Sequence, residues 1–364
     1  MWKTNPAIFA VENEYQIMHH VDCEATMWVT VGNHTYYDTV NGILRSNTKV
    51  HKVNVPMEEL DRAKSYTVYL RKVIDRKPYF PEMEEPEQKT YAFRPVPEKD
   101  IRAYHIADAH DQVQEPVAAA RVYGNIDFLI LNGDIPNHCG YEDNAETIYR
   151  IVSELTGGNI PVVFSRGNHD MRGRYAESFA ANTPCCNGRS YYTFRLGKIW
   201  GMVLDCGEDK VDEHEEYGHT ICCHDFRQQE TAFIRQVVRD AEDAGCEYAA
   251  SDVEHKIVIC HIPFTMRHSP DVFDIENDTY AEWTALLREH IKPDLILCGH
   301  MHRLEVIECG GENDAYGQPC RVVIGSGVQK GEDGKLKFSG AGLMFGQDGI
   351  AVNFTDNTGH CEKI

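Results

Sequence analysis

The sequence is short of basic residues and has no long apolar run. Its 36 Lys and Arg residues stand against 57 Asp and Glu residues, which gives a formal net charge of -21. A field of that sign repels phosphate backbones and anionic lipids, so we expect neither nucleic acid nor a membrane as partner. No apolar stretch approaches the ~18 residues of a membrane span, and no signal-peptide pattern opens the chain. We therefore expect a cytoplasmic protein.

Two kinds of motif are also missing. The 13 cysteines do not form a zinc-ribbon pattern, because the adjacent pairs at 185–186 and 222–223 lack ligand spacing. No G-x-S-x-G sequence marks a serine nucleophile. We interpret the cysteines as reduced thiols, as expected in a cytoplasm.

The sequence pattern of the chain changes near residue 98. Residues 1–98 alternate β-forming and turn residues, as in ATMWVTV and SYTVYLRKV, and predict a small all-β sandwich. From residue 99 to residue 364, short apolar runs alternate with helical patterns such as DFRQQETAFIRQVVRDAEDAG. This alternation predicts an α/β domain with crossover helices over 99–364, so two domains are expected in the 364 residues.

Polar residues of a few types follow the apolar runs of the second domain. The runs end in Asp108-Ala109-His110, Gly133-Asp134, Gly167-Asn168-His169-Asp170, His261 and Gly299-His300-Met301-His302. Open α/β sheets place their sites at such strand ends. Carboxylate, amide oxygen and imidazole together suit Mn, Fe or Zn. The donors exceed the need of one ion and fit two divalent cations ~3.5–4 Å apart.

In this order the blocks resemble the motifs of the calcineurin-like metallophosphoesterase superfamily: D-x-H, G-D, G-N-H-[D/E], H and G-H-x-H. The resemblance spans residues 108–302 and implies an α/β (α+β) fold, a four-layer αββα sandwich preceded here by the small all-β sandwich. It also implies roles for individual residues. The first metal would take Asp108, His110 and His302, the second would take Asn168, His261 and His300, Asp134 would bridge both, His169 would be the catalytic histidine, and Asp170 would orient a histidine from behind the ligands.

The layout is also similar to that of purple acid phosphatases, which carry a β-sandwich ahead of the metal domain. The stretch LDRAKSYTVYL resembles the tyrosine corner of fibronectin type III domains, with Tyr66 as its tyrosine. Purple acid phosphatases have an iron-binding tyrosine three residues after the bridging aspartate. Here that residue is Asn137, so we expect no purple species. The glycine that usually follows the first block is Asp111.

The resemblance implies hydrolysis of a small phosphorylated substrate, either a phosphomonoester or a small phosphodiester. A metal-bridging hydroxide would attack phosphorus, and His169 would protonate the leaving oxygen. The alternative is a catalytically idle metal-binding scaffold that binds phosphorylated ligands. Candidate substrate contacts, each of which could equally be a solvated loop residue, are Arg166, His138 and Arg267, with Tyr141, Arg174 and His268 nearby in sequence.

The segment 206–226 contains three histidines and an adjacent pair of cysteines. Its spacing fits no known ligand pattern, so we predict a mobile insert over the active site rather than a third metal site. The sequence leaves open the metal identity, the natural substrate, the oligomeric state and the role of residues 1–98.

Overall fold

The computed structural model describes residues 1–267, 271–331 and 334–364, so the candidate residue His268 lies outside the described residues. The protein has a mixed α/β fold in which sheets pack face to face and helices cover their outer faces. Within the described ranges, no helix combines the length and the apolar character that crossing a bilayer requires.

The larger sheet is built from both ends of the chain. Its strands are β1 (Ala7–Val11), β2 (Glu14–His20), β7 (Val50–Pro56), β11 (Ile101–Ile106), β12 (Phe128–Asn132), β13 (Val162–Ser165), β20 (Gly327–Lys330), β21 (Leu336–Gly346), β22 (Gly349–Asp356) and β23 (Cys361–Lys363). Their order is β23-β22-β21-β11-β12-β13-β1-β2-β7, with β20 paired to β21. The parallel strands β11, β12 and β13 lie in its middle.

A second sheet faces the middle of the first. Its strands are β14 (Tyr192–Leu196), β15 (Ile199–Leu204), β16 (His255–Cys260), β17 (Leu295–Cys298), β18 (Glu305–Ile307) and β19 (Val322–Ile324), in the order β14-β15-β16-β17-β19-β18. The helices are α1 (Met57–Ala63), α2 (Gln114–Tyr123), α3 (Glu146–Thr156), α4 (Phe179–Asn182), α5 (Cys223–Ala244) and α6 (Asn277–Leu286).

Apolar cores separate the layers because the buried strands alternate their side chains between two faces. In β16, Ile257 and Ile259 pack between the two sheets. Their neighbours Val258 and Cys260 pack on the opposite face, in the core that also contains residues of α5 and α6. Helices α2 and α3 cover the outer face of the larger sheet in the same way. The resulting helix–sheet–sheet–helix order is the arrangement that the family resemblance implies.

The first 98 residues share their sheet and their core with the rest of the chain. Strand β1 pairs in parallel with β13, with Phe9 opposite Val162, so β1, β2 and β7 extend the larger sheet. A facing sheet joins β3 (Ala25–Val31), β4 (His34–Tyr37), β8 (Ser65–Asp75), β9 (Glu82–Met83) and β10 (Glu87–Ala92), and β5 (Thr39–Val40) pairs with β6 (Ile43–Leu44). The domain boundary at residue 98 stays a prediction. The sequence did not predict that one sheet contains strands from both sides of this boundary.

Tyr66 does not make the contact of a tyrosine corner. Its hydroxyl donates to the carbonyl of Gly158 at 2.8 Å, whereas a corner tyrosine bonds to main chain a few residues upstream. The buried Tyr66 ring instead fastens the first segment to the end of α3. The likeness of residues 1–98 to a fibronectin type III domain therefore stays a prediction, without this residue as its support.

Candidate metal centre

The predicted ligands follow the carboxyl ends of strands in both large sheets. Strands β11, β12 and β13 of the larger sheet and β16 and β17 of the second sheet end within four residues of them. The main-chain N–H of His300 donates to both carboxylate oxygens of Asp108, at 3.0 and 2.9 Å, and so joins the two sheets at the site. The N–H of His110 donates to the carbonyl of Asp134 at 3.0 Å. His169 and His261, from the third and fourth blocks, both contact Asp134, so the five blocks meet at one place.

The backbone is strained at the ligands. Asp108, His110, Asp134, His300 and His302 have φ values of 52°, 42°, 53°, 67° and 49°. Residues with a Cβ rarely adopt this left-handed region, and each such residue costs on the order of 1–3 kcal/mol. Strain of this kind persists where surrounding contacts over-determine the backbone, and it concentrates at functional sites.

Glycines let two of the ligand loops touch. Gly133 has a φ of 77°, and a Cβ there would lie 2.6 Å from Gly167 Cα and 2.7 Å from His261 Cγ. A Cβ on Gly167 would lie 2.3 Å from an oxygen of Asp134. The carboxylate of Asp134 thus sits in a space that only glycine leaves open.

Asp108, His110 and His302 form the first group of converging donors. The Nε2 atoms of His110 and His302 lie 3.0 Å apart, and Nε2 of His302 lies 3.4 Å from Asp108 Oδ1. Burial raises the pKa of Asp108 to about 8 and lowers the pKa of His110 to about 4. A neutral imidazole is the form that binds a metal, and a buried carboxylate needs a cation to stay ionised. The first group fits a divalent ion.

Asp134, His261 and His300 form the second group. Nε2 of His261 lies 3.1 Å from Asp134 and 3.7 Å from Asp108, while its Nδ1–H donates to the carbonyl of Asn132 at 2.7 Å. Burial opposes a charged His261, but the Asp134 and Asp108 carboxylates raise its pKa to about 10. The carboxylates of Asp134 and Asp108 therefore favour a positive charge at the position that Nε2 of His261 faces.

The amide of Asn168 provides the test of fit for this second group. Its oxygen lies 3.1 Å from Nδ1 of His300 and 3.3 Å from Oδ2 of Asp134, so three acceptor atoms face one another. Exchanging the amide oxygen and nitrogen would satisfy these acceptors in the bare protein. A divalent cation among them satisfies the oxygen where it stands, since amide oxygen, imidazole and carboxylate are all metal ligands. The donor set therefore fits a second ion.

His169 lies beside these groups and faces them. Its main-chain N–H donates to Asp134 Oδ1 at 2.9 Å, and its Nδ1–H donates to the carbonyl of Asn137 at 2.7 Å. These bonds leave Nε2 directed to the site, 4.0 Å from Asp134 Oδ2. Arg172 donates to that nitrogen from Nη1 at 3.3 Å. The ring is 27% exposed, so a substrate can reach it.

The resemblance implied that Asp170 orients a histidine, whereas the hydrogen bonds of its side chain go to the main chain. Its Oδ2 accepts the main-chain N–H of Gly167 at 2.7 Å and that of Asp134 at 3.2 Å. The side chain is fully buried between the two loops that it ties together. Asp170 therefore fixes the main chain at Asp134.

Asp111, which replaces the usual glycine of the first block, adopts a φ of 67° and joins two loops. Its Oδ1 accepts the main-chain N–H of Asn137 at 3.2 Å. The carbonyl of Asn137 in turn accepts from the His169 ring. Asp111 thus supports the loop that orients His169.

The candidate substrate contacts lie in varied settings. Arg166 pairs with the buried Asp205 at 2.6 Å. His138 accepts the N–H of Gly140 at 3.0 Å, and its ring lies 5.7 Å from the 70% exposed Tyr141. Arg267 is exposed. Their substrate roles stay predictions.

Sequence reasoning missed the contacts that the segment 206–226 makes with the site. Asp209 Oδ2 lies 3.6 Å from Nε2 of His300, and Glu208 binds Arg172 through paired bonds of 2.8 Å. Among the described residues, the groups of converging metal donors contain no residue of this segment. A signal was available, since the acidic pair follows β15 at the same sheet edge as the ligands.

Comparison with known proteins agrees with this geometry. The sequence profile named calcineurin-like phosphoesterase matches residues 101–304, more than half of the chain. The chain therefore belongs to the calcineurin-like phosphoesterase family, whose members include phosphatases and phosphodiesterases.

A curated relative from Rhodopseudomonas palustris, described as a probable cyclic nucleotide phosphodiesterase, is 26% identical over 186 residues. The match covers 50% of this chain and 59% of that protein, so this chain spans less than two thirds of its relative. Among solved structures, purple acid phosphatase PPD1 from yellow lupin seeds matches with a TM-score of 0.59 at 12% identity, over 99% of this chain and 73% of that one. A dimetal phosphatase from Danio rerio matches with a TM-score of 0.48 at 12% identity, over 73% of this chain and 98% of that one. At such identity the lupin enzyme supports a shared fold.

Proposed function

We propose that the protein is a two-metal-dependent phosphoester hydrolase that acts on a phosphomonoester or a small phosphodiester. The observation that carries the proposal is the position of Asp134. Its carboxylate belongs to one group of converging donors with His261 and His300 and to another with His110 and His169. A carboxylate shared between neighbouring groups is what a bridging ligand requires.

The proposed ligand sets follow these groups. Asp108, His110 and His302 would hold one ion of Mn, Fe or Zn, the second would be held by Asn168, His261 and His300, and Asp134 would be common to both. Bound divalent cations supply Lewis acidity toward phosphoryl oxygens and activate water near neutral pH. Strained backbone at the strand ends fixes several of the donors. The hydrogen bond from the His261 ring to the carbonyl of Asn132 fixes the orientation of that ring.

We assign proton donation to His169. Its Nδ1–H is held by the Asn137 carbonyl, so Nε2 is the atom that meets the substrate. In the free protein Arg172 donates to this nitrogen. When substrate binds, the arginine would turn to the phosphoryl oxygens, and Nε2 would take up a proton from water. The leaving oxygen would then occupy the former position of the arginine contact and receive that proton from Nε2.

Both ester classes agree with the relatives. The curated relative is described as a probable cyclic nucleotide phosphodiesterase, and the lupin protein of similar fold is described as a purple acid phosphatase. A small substrate suits the net charge of -21, since bound cations can reverse the sign of the field locally. The exposed Tyr141 near the His169 loop offers a flat surface for an organic group.

The test uses 4-nitrophenyl phosphate and bis(4-nitrophenyl) phosphate as substrates of the protein loaded with Mn²⁺. We expect turnover of at least one ester, its loss after removal of metal with a chelator, and its return on adding Mn²⁺. The ratio of the two kcat/KM values sorts monoesterase from diesterase. Tight binding of Mn²⁺ without turnover of either ester contradicts the proposal and favours the scaffold that only binds phosphorylated ligands.

A further inference from the structure

The segment 206–226 reaches the proposed second metal site through Asp209. The Oδ2 atom of this residue lies 3.6 Å from Nε2 of His300. The other ring nitrogen, Nδ1, lies 3.1 Å from the amide oxygen of Asn168, inside the donor group. The two nitrogens of His300 therefore face different chemistry, a ligand site on one side and a carboxylate on the other.

This asymmetry determines which nitrogen can bind a metal. A neutral imidazole carries one N–H and one lone pair, and a carboxylate near one nitrogen favours the proton there. At 3.6 Å the contact between Asp209 and His300 is electrostatic rather than a hydrogen bond. It still favours the proton on Nε2, which leaves the lone pair of Nδ1 directed at the donor group.

Asp209 is held in this orientation by its neighbours. Its Oδ1 accepts the hydroxyl of Tyr217 at 3.0 Å and lies 3.1 Å from Nζ of Lys210. Because one oxygen is occupied in this way, the other is left facing His300. The carboxylate is only 10% exposed, so solvent screens the contact weakly.

The same segment positions a second group of the site. Glu208, which is 1% exposed, binds Nε and Nη2 of Arg172 at 2.8 Å each. This bidentate pair directs Nη1 of the arginine at Nε2 of His169. Two adjacent residues of one segment therefore act on the site. Asp209 faces the proposed ligand His300, and Glu208 binds Arg172, which donates to the proposed proton donor His169.

We propose that Asp209 is a positioning residue for the second metal: it fixes the tautomer and orientation of His300 and makes the segment 206–226 a working part of the metal centre. The proposal rests on the two-metal function proposed above. It predicts that a residue without direct metal contact sets the affinity of one metal and leaves the other unchanged.

The experiment measures equilibrium Mn²⁺ binding to the full chain by the electron paramagnetic resonance signal of free Mn²⁺. His110→Ala and His261→Ala identify which binding step belongs to which site. Asp209→Asn then removes the charge that faces His300. Glu213→Gln is the matched control, because it makes the same charge change at an exposed position of the same segment. Tyr217→Phe keeps the Asp209 carboxylate but removes the hydroxyl that holds it.

We expect Asp209→Asn to weaken the binding step that His261→Ala removes by about 10–100-fold, with the other step unchanged. Tyr217→Phe should weaken the same step by about threefold to tenfold, and Glu213→Gln should leave both steps as they are. Wild-type protein that binds two Mn²⁺ while Asp209→Asn binds them equally well would overturn this inference and leave the proposed function standing. Wild-type protein that binds no Mn²⁺ would overturn both. Circular dichroism and thermal melting check that each variant is folded.

Discussion

Two regions of the molecule contain buried histidines in different surroundings. At the strand ends, His261 lies within 3.7 Å of two carboxylates. On the paired strands β2 and β7, His19 lies opposite His51, and both rings are fully buried. One carboxylate, Asp38, binds His51 at 2.6 Å. Neither ring nitrogen of His19 has a hydrogen-bond partner among the residues that the structure describes.

The difference shows what makes a buried imidazole a ligand. In the described residues, the groups of converging donors include the strand-end histidines and none from β2 or β7. Several strand-end residues, among them His110, His300 and His302, have left-handed φ values, which turn their side chains toward one point. His19 and His51 lie within regular strands, so their side chains stay in the core. Burial alone therefore does not define a site, and convergence of carboxylates does.

The largest expected effect comes from the bridging carboxylate. Asp134→Asn should lower kcat/KM for a nitrophenyl ester by about 10⁴-fold, because it removes the charge shared by both proposed metal sites. The matched control is Asp38→Asn, since Asp38 is also a buried carboxylate bound to a buried histidine. The measurement is steady-state turnover with saturating Mn²⁺. Equal losses in the two variants would show that the two regions do not differ in function.

His169→Ala should have the next largest effect. General acid catalysis typically contributes 10²–10⁴-fold, so we expect kcat to fall by about 10²–10³-fold while Mn²⁺ affinity is retained. The loss should be greater for an alkyl phosphoester than for a nitrophenyl one, because a poor leaving group needs its proton more. A loss that does not depend on the leaving group, measured over a series of esters, would argue against proton donation by His169.

The comparison also explains which parts of the site the sequence could predict. Asp108 and Asp134 follow buried apolar runs, and neighbouring parallel strands of one sheet bring their carboxyl ends to a common edge, so their convergence was predictable. Asp209 lies in an irregular segment whose side-chain directions follow from hydrogen bonds to its neighbours. No periodicity in the sequence encodes those directions. The position of Asp209 after β15 could therefore indicate that it lies near the site, but its approach to His300 could not be predicted.

The fold shows the same limit. Alternation and helical periodicity predicted strands and helices, because burial of one or two faces of an element sets the spacing of its apolar residues. The pairing of β1 with β13 has no comparable pattern in the sequence. Phe9 and Val162 are both apolar residues of strands buried on both faces, and such residues do not specify which strand lies beside them. The joining of residues 1–98 to the larger sheet therefore required the structure.

A smaller effect, on stability, should separate crowding from backbone strain. Gly133→Ala places a Cβ 2.6 Å from Gly167 Cα at a φ of 77°, and we expect the free energy of unfolding to fall by about 3 kcal/mol. The control is Gly32→Ala, whose φ of 55° is also left-handed but whose Cβ meets nothing within 4 Å. It should cost about 1 kcal/mol in urea unfolding. Equal costs would mean that the loops at the metal centre can move apart freely.

The smallest effect concerns the other region and depends on pH. Burial, with the neighbouring His51, lowers the pKa of His19 to about 3 from an ordinary value of 6.5. Below pH 6.5 the unfolded chain therefore binds a proton that the folded chain refuses, so the free energy of unfolding falls as the pH falls. From pH 7 to pH 5 this residue accounts for a loss of about 2 kcal/mol.

His19→Leu should remove that loss, so the variant should lose about 2 kcal/mol less than the wild type between pH 7 and pH 5. His360→Leu, at an exposed histidine, should lose as much as the wild type. Contributions from the metal centre are common to all three proteins and cancel in the differences. Urea unfolding at the two pH values measures them, and equal losses in all three would mean that His19 is protonated in the folded protein. Turnover at pH 7 should be the same for His19→Leu and the wild type, because this imidazole is fully buried and lies outside the groups of converging donors found among the described residues.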